Sequence, residues 1–216
     1  MARRTRVSRA RPGSRAGMTT LTELAAQAAS CRRCDLYARA TATVFGEGRP
    51  GAPLALVGEQ PGDMEDKQGH PFVGPAGRLL DRALGEAGIA RTDAYVTNAV
   101  KHFKWQPRGK RRIHQRPNGT EIVACRCWLE AELAVVRPRI AVALGAVAGQ
   151  ALLGSGFRVR DHRGRLEDAT VGEWHGLVLT TIHPSAVLRA PDEGARDEAF
   201  AGLAADLAHA REALAA

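Results

Sequence analysis

The sequence predicts an α/β domain built on a central, mostly parallel four-stranded sheet flanked by helices. Two observations carry that expectation: four short, apolar, partly β-branched runs, and stretches of helical apolar spacing between them. In chain order, Leu21 to Ala29 reads as a leading helix and Pro53 to Val57 as the first strand. Leu79, Leu80, Ala83, Leu84 and Ala87 keep helical spacing and stop near Gly88, and Ala94 to Val100 is the second strand. Ile122 to Val136 is a helix that must end before Pro138, and Arg139 to Leu144 and Leu177 to Ile182 are the last two strands. Arg196 to Ala213 closes the chain as a helix. A chain of 216 residues, 44% hydrophobic and without internal repeats, suffices for one core, so a single domain is expected over residues 18–216.

The formal charge of +8 points less firmly to a polyanionic partner than it first suggests. Six arginines (Arg3, Arg4, Arg6, Arg9, Arg11, Arg15) and no acids fall within residues 1–17, and without them only +2 remains. That Arg-, Gly- and Ser-rich segment lacks large apolar residues and is expected to be a disordered basic tail. No run of about 18 apolar residues occurs, and no apolar signal core comes after the basic start. A soluble, monomeric, cytoplasmic protein with no membrane partner is therefore expected, and four cysteines in a reducing compartment read as ligands more naturally than as disulfides.

The ends of the strands are informative. The first runs into Gly58-Glu59-Gln60-Pro61-Gly62, the second carries Asn98 and leads to His102, the third ends at Gly145, and the fourth ends at His183-Pro184-Ser185. Parallel sheets place their sites at the carboxyl ends of strands, so a carboxylate, an amide and an imidazole are expected to converge on one crevice. Each of these features alone is compatible with an ordinary turn or cap; their joint placement is the stronger signal. Cys31-Arg32-Arg33-Cys34 brings two thiols to one centre, with Cys125, Cys127 and several histidines to complete it. Zinc and an iron–sulfur cluster both remain open on spacing. Cys125 and Cys127 lie two apart on a helix and face differently, so one of them is expected to be the ligand.

The strings GEQPGDMED, HPFVGPAGRLLDRAL, VTNAVKHFKW, KRRIHQ, ACRCWL and HPSAVLRA, in this order, resemble the iron–sulfur uracil-DNA glycosylases. The insertion with KRRIH resembles the uracil-DNA glycosylase X branch, whose members bond covalently to DNA. The resemblance spans roughly Leu21 to Leu207 and implies that family's three-layer fold, with uracil-containing DNA, single- or double-stranded, as partner. It implies a bacterial-type protein, nucleoid-associated when on DNA, with a [4Fe–4S] cluster on Cys31, Cys34, Cys125 and a fourth ligand. His102 stands where the ordinary iron–sulfur branch has a cysteine, and it is the expected fourth ligand; Cys127 is the alternative. Phe72 is implied to stack on the extruded base, Asn98 to read O4 and N3–H, and His183 to donate to O2, while the turn from Gly58 supplies backbone donors. Glu59 and Gln60 are implied near the sugar, and His114 is implied to attack C1′. Glu59 would orient His114 or stabilise its charge, and Gln60 would replace a residue that favours water. Lys110, Arg111, Arg112 and Ser185 are implied to contact DNA.

Read without the family, the basic insertion from Lys104 to Gly119 is a phosphate-binding loop in which His114 is one more DNA contact. Two rivals therefore stand beside the covalent reading. One is a turnover glycosylase that releases an abasic site, and the other a non-catalytic, cluster-stabilised DNA-binding module.

Overall fold

The structure is a computed structural model that describes residues 20–216; the tail expected to be disordered, residues 1–17, lies outside the described residues. The chain enters through helix α1 (Leu21–Ala28), whose start is fixed by a reciprocal cap between Thr20 and Glu23. Strand β1 (Leu54–Gly58), the short helix α2 (Asp63–Gln68), α3 (Pro75–Glu86) and β2 (Ala94–Asn98) come next. A hairpin of β3 (Trp105–Arg108) and β4 (Arg111–His114) then precedes α4 (Gly119–Val136) and β5 (Ile140–Leu144). After α5 (Ala146–Leu153) and α6 (Val159–His162) come β6 (Leu166–Val171), β7 (Trp174–Thr181), α7 (Pro184–Leu188) and α8 (Glu193–Ala215). No helix among the described residues is long and apolar enough to cross a membrane.

The sheet order is β2-β1-β5-β7-β6. The four expected strands are the parallel ones, and β6 adds an antiparallel edge. Because β1, β2 and β5 are buried on both faces, their residues alternate between two cores. Ala55, Val57, Ala141 and Ala143 meet Leu129 and Leu133 of α4 and Val147 of α5. Leu54, Leu56, Val142 and Leu144 meet Leu80 and Leu84 of α3 and Leu203 and Leu207 of α8. The result is three layers, helix on sheet on helix.

From β1 the chain crosses to β2 on one side and later to β5 on the other, so the order reverses between β1 and β5. The crevice at the carboxyl ends of these strands is where an open α/β sheet binds its ligand. Gly58 pairs with Asn98 and Leu144 with Thr181, which brings the tips of all four parallel strands level.

Candidate active site

A cleft of about 900 Å3 opens at those strand tips, and Glu59, Phe72, Asn98, His114, His183 and Arg189 all line it. The groups expected from three separate strand ends thus share one cavity. Its floor depends on missing side chains: a Cβ on Gly58 would lie 2.3 Å from Asn98 Oδ1 and 2.5 Å from Phe72 Cζ. Gly58 therefore acts through the space it leaves. The Asn98 amide is buried and has no protein partner among the described residues, so both its donor and its acceptor are left for a ligand. Phe72 adopts φ 57°, a strained conformation for a non-glycine residue, and a Cβ on Gly77 would fall 1.7 Å from its carbonyl oxygen. Its ring faces that of His183 with centroids 6.1 Å apart and planes tilted by 31°.

His183 caps α7. The Ser185 backbone N–H donates to Nδ1 at 3.1 Å, and Ser185 Oγ lies 2.7 Å from the same nitrogen. A backbone N–H can only donate, so Nδ1 accepts and the neutral ring carries its proton on Nε2. Neutrality is enforced: burial, helped by the Arg189 and His114 charges, pushes the His183 pKa down to about 4. Ser185, expected on DNA, is engaged with His183 instead.

His114 ends β4 half-exposed, with Nε2 3.5 Å from Glu59 Oε1. Burial and the Arg189 cation hold its pKa below the usual imidazole value. Burial raises the Glu59 carboxyl, while Arg116 and Arg189 oppose the rise, and buried Oε1 has no hydrogen-bond partner. Arg189, without a carboxylate partner among the described residues, thus acts on Glu59, His114 and His183 together.

Two expected site residues hold the hairpin rather than facing a ligand. Gln60 borders the cleft, but its amide donates to the carbonyls of Lys104 and Gln115 at 3.2 and 3.1 Å and accepts from Lys104 N at 3.1 Å. Both polar atoms clamp the feet of β3 and β4, so Gln60 is a positioning residue and not one that meets water at the sugar. Arg112, expected on phosphates, donates to Asp63 Oδ1 at 2.5 Å, Asp66 Oδ2 at 2.6 Å and Thr41 Oγ1 at 3.1 Å. Its guanidinium also lies over Phe103 and Trp105, 5.3 and 5.4 Å from their centroids. With its charge matched by two aspartates, Arg112 ties the hairpin to α2. Lys110 and Arg111, at the hairpin tip, are exposed and without carboxylate partners among the described residues, as a phosphate contact requires. The turn also offers fewer backbone donors than expected, because Gly62 N–H goes to Glu65.

The thiols collect where α1, the turn after it and α4 meet. Cys31 Sγ accepts from Trp128 Nε1 at 3.2 Å, and Cys125 Sγ accepts from Lys101 N at 3.2 Å. Burial pushes Cys125 up to about 12, with Cys34 and Cys31 adding to the rise and Lys101 opposing it. Cys34 is likewise raised by burial and then by Cys31. Cys127 turns to the Ala124 carbonyl. His102 is buried, its pKa lowered by burial, and its Nε2 lies 2.9 Å from Thr43 Oγ1. Among the described residues no three such side chains close on one metal ion.

A buried network links this region to the cleft. Lys101 Nζ donates to Asn98 O at 2.7 Å, Thr97 Oγ1 at 2.7 Å and Glu132 Oε2 at 2.6 Å. Glu132 Oε1 accepts from Gly46 N, Tyr95 OH and Thr97 Oγ1 at 2.9 to 3.1 Å. Sequence reading missed this pair, together with Asp63, Asp66 and Arg189. Asp63 and Asp66, one helical turn apart, were a signal for a shared cation; nothing in the sequence pairs Lys101 with Glu132.

The profile of the uracil DNA glycosylase superfamily matches residues 45–208. The chain is 39% identical over 160 residues to the type-4 uracil-DNA glycosylase of Thermotoga maritima, covering 74% of this chain and 78% of that protein. It is 34% identical over 186 residues to the type-4 uracil-DNA glycosylase of Archaeoglobus fulgidus, covering 81% and 86%. Over 166 residues it is 34% identical to that of Pyrobaculum aerophilum, covering 75% and 81%.

Proposed function

The chain belongs to the uracil-DNA glycosylase superfamily, and on that basis we propose that it excises uracil from DNA and then bonds covalently to the sugar through His114, as the uracil-DNA glycosylase X branch does. The observation that carries the reading is a half-exposed imidazole beside a buried carboxylate, in the same cleft as an unpartnered asparagine amide, an aromatic ring and a neutral histidine. The extruded base stacks on Phe72, Asn98 pairs with O4 and N3–H, and His183 Nε2–H donates to O2. When the C1′–N1 bond breaks, its electron pair leaves with uracil, and the His183 donor stabilises that anion without supplying a full proton.

The sugar is left as an oxocarbenium ion. An imidazole nitrogen of His114 donates its lone pair to C1′, the ring becomes cationic, and Glu59 stabilises that charge before the remaining ring proton is lost. The product persists because it is held by a strong C–N bond and no acid is poised to expel the imidazole. Uracil takes up the proton from water, so atoms and charge balance. Lys110 and Arg111 grip the phosphates from the hairpin tip.

Three thiols and one imidazole are the donors proposed to hold a [4Fe–4S] cluster. N–H donors already face the sulfurs of Cys31 and Cys125, as thiolate ligands require. His102 Nε2 is engaged with Thr43 Oγ1 and Nδ1 has no protein partner among the described residues, so Nδ1 would be the nitrogen available to the cluster. When bound, the cluster supplies structural order to the loops around Cys31 and Cys125, since glycosidic cleavage transfers no electrons.

The test is release of free uracil from a uracil-containing oligonucleotide, with a thymine oligonucleotide as control. Release from the first alone supports the reading, and release from neither would overturn it.

A further inference from the structure

A second cavity, of about 460 Å3, lies behind the hairpin and is lined by Asp35, Leu36, Ala38, Arg39, Phe103 and Trp105, together with Lys104, Gln106, Gln115 and Arg116. We propose that it receives the base of a nucleotide adjacent to the uridine, so that two neighbouring bases leave the stack and single-stranded DNA is the preferred substrate. This rests on the glycosylase reading and extends it to the substrate class.

Three observations carry it. First, the cavity adjoins the catalytic cleft: Arg116 lines both, and His114 of the cleft and Gln115 of the cavity are neighbours in the chain. Trp105 of the cavity is paired with His114 of the cleft across the hairpin, and the rings of Phe103 and His114 have centroids 6.1 Å apart. A strand attached at His114 therefore runs beside the cavity wall. Second, the wall combines the groups that unpaired bases bind: the half-buried ring of Trp105, backed by the buried Phe103, with Gln106 and Gln115 beside it. Trp105 is held in place by its Nε1–H bond to Arg39 O at 2.9 Å and by Arg112 over its ring. Third, the charges suit a backbone running outside. Arg39 and Arg116 are exposed without carboxylate partners among the described residues, whereas Lys104 is matched by Glu121 at 2.9 Å. Asp35, the one acid in the wall, disfavours a phosphate inside the cavity and leaves a base edge as the better occupant.

In a duplex the adjacent base must also be unpaired and unstacked, which adds to the cost of extruding the uracil. A single strand escapes that cost.

Free-uracil release is timed on a single-stranded uracil oligonucleotide and on two versions in which an abasic tetrahydrofuran residue replaces the base on one side or the other of the uridine. The unmodified protein is compared with Ala38→Trp, which fills the cavity from an exposed turn. One of the two replacements is expected to slow the unmodified protein about 5- to 150-fold, the range for one stacked base. Ala38→Trp is expected to slow the parent oligonucleotide by a similar factor and to be indifferent to that replacement. If both modified oligonucleotides react like the parent, or if Ala38→Trp slows all three equally, the proposal is overturned. The oligonucleotide series with the unmodified protein decides the matter even if Ala38→Trp does not fold. No uracil from the parent would overturn the glycosylase reading itself, and this one with it.

Discussion

Replacing Lys101 by methionine would strip the cation from a fully buried ion pair and leave Glu132 charged with only Gly46 N–H and the Tyr95 and Thr97 hydroxyls to satisfy it. Breaking one side of such a pair costs about 3–5 kcal/mol. For a domain of this size each kcal/mol moves Tm by about 2–4 °C, so a fall of roughly 6–20 °C is expected. The double variant Lys101→Met/Glu132→Gln removes the stranded charge while keeping an acceptor for Gly46 and Tyr95, and most of the loss should be recovered. Activity should not recover with it, because both variants lose the 2.7 Å bond from Lys101 Nζ to Asn98 O that fixes the strand end presenting the amide. A misplaced binding group costs up to about 100-fold, so roughly 10- to 100-fold slower uracil release at about 25 °C is expected of both. Thermal melts and timed release on the three proteins check this. A single variant melting within about 2 °C of the parent, less than 1 kcal/mol would produce, or a double variant less stable than the single, would contradict the role given to the pair.

Gly58→Ala places a Cβ 2.3 Å from Asn98 Oδ1, and overpacking of about 1–3 kcal/mol predicts single-turnover uracil release slowed roughly 5- to 150-fold with a smaller change in Tm. Gln60→Ala frees the hairpin feet while leaving Phe72, Asn98 and His183 in place, so gel and release assays run together should show adduct formation falling more than uracil release. The covalent step needs neutral His114 and ionised Glu59. Burial lowers the first below 6.5 and raises the second above 4.5, so the rate should fall as the pH is lowered and not as it is raised. A rate declining from pH 6.5 upward would contradict that assignment. The folded state holds His183 neutral down to about pH 4, whereas the unfolded imidazole takes a proton below about 6.5; stability measured by denaturant titration should therefore decline as pH falls through that window.

The parallel strands were legible because burial on both faces demands unbroken apolar runs such as Leu54 to Val57 and Ile140 to Leu144. β6 was not, since an edge strand with Asp168 and Thr170 facing outward and Glu167 half-buried before them carries no such run. The hairpin was equally silent: Trp105 to His114 has Pro107 and a cluster of cations, and the charges of Asp63 and Asp66 that anchor it lie well before it in sequence. The residues gathered in the cleft obey one rule, that parallel strands end at the site, and Glu59, Asn98 and His183 each sit at or just beyond a strand end. Side-chain partnership is not contained in that rule. Gln60 and Arg112 stand where ligand contacts were expected, and only the fold reveals that their polar atoms are already occupied. The tautomer of His183 likewise depends on Ser185 folding back onto it.

Whether His114 bonds to the sugar is decided on a denaturing gel, with the protein and His114→Ser each mixed with a labelled uracil oligonucleotide and with its thymine counterpart. A heat- and detergent-stable shifted band is expected for uracil alone, and it should be absent in His114→Ser. Unshifted but alkali-cleavable DNA from the unmodified protein would contradict the covalent mechanism, marking a glycosylase that turns over.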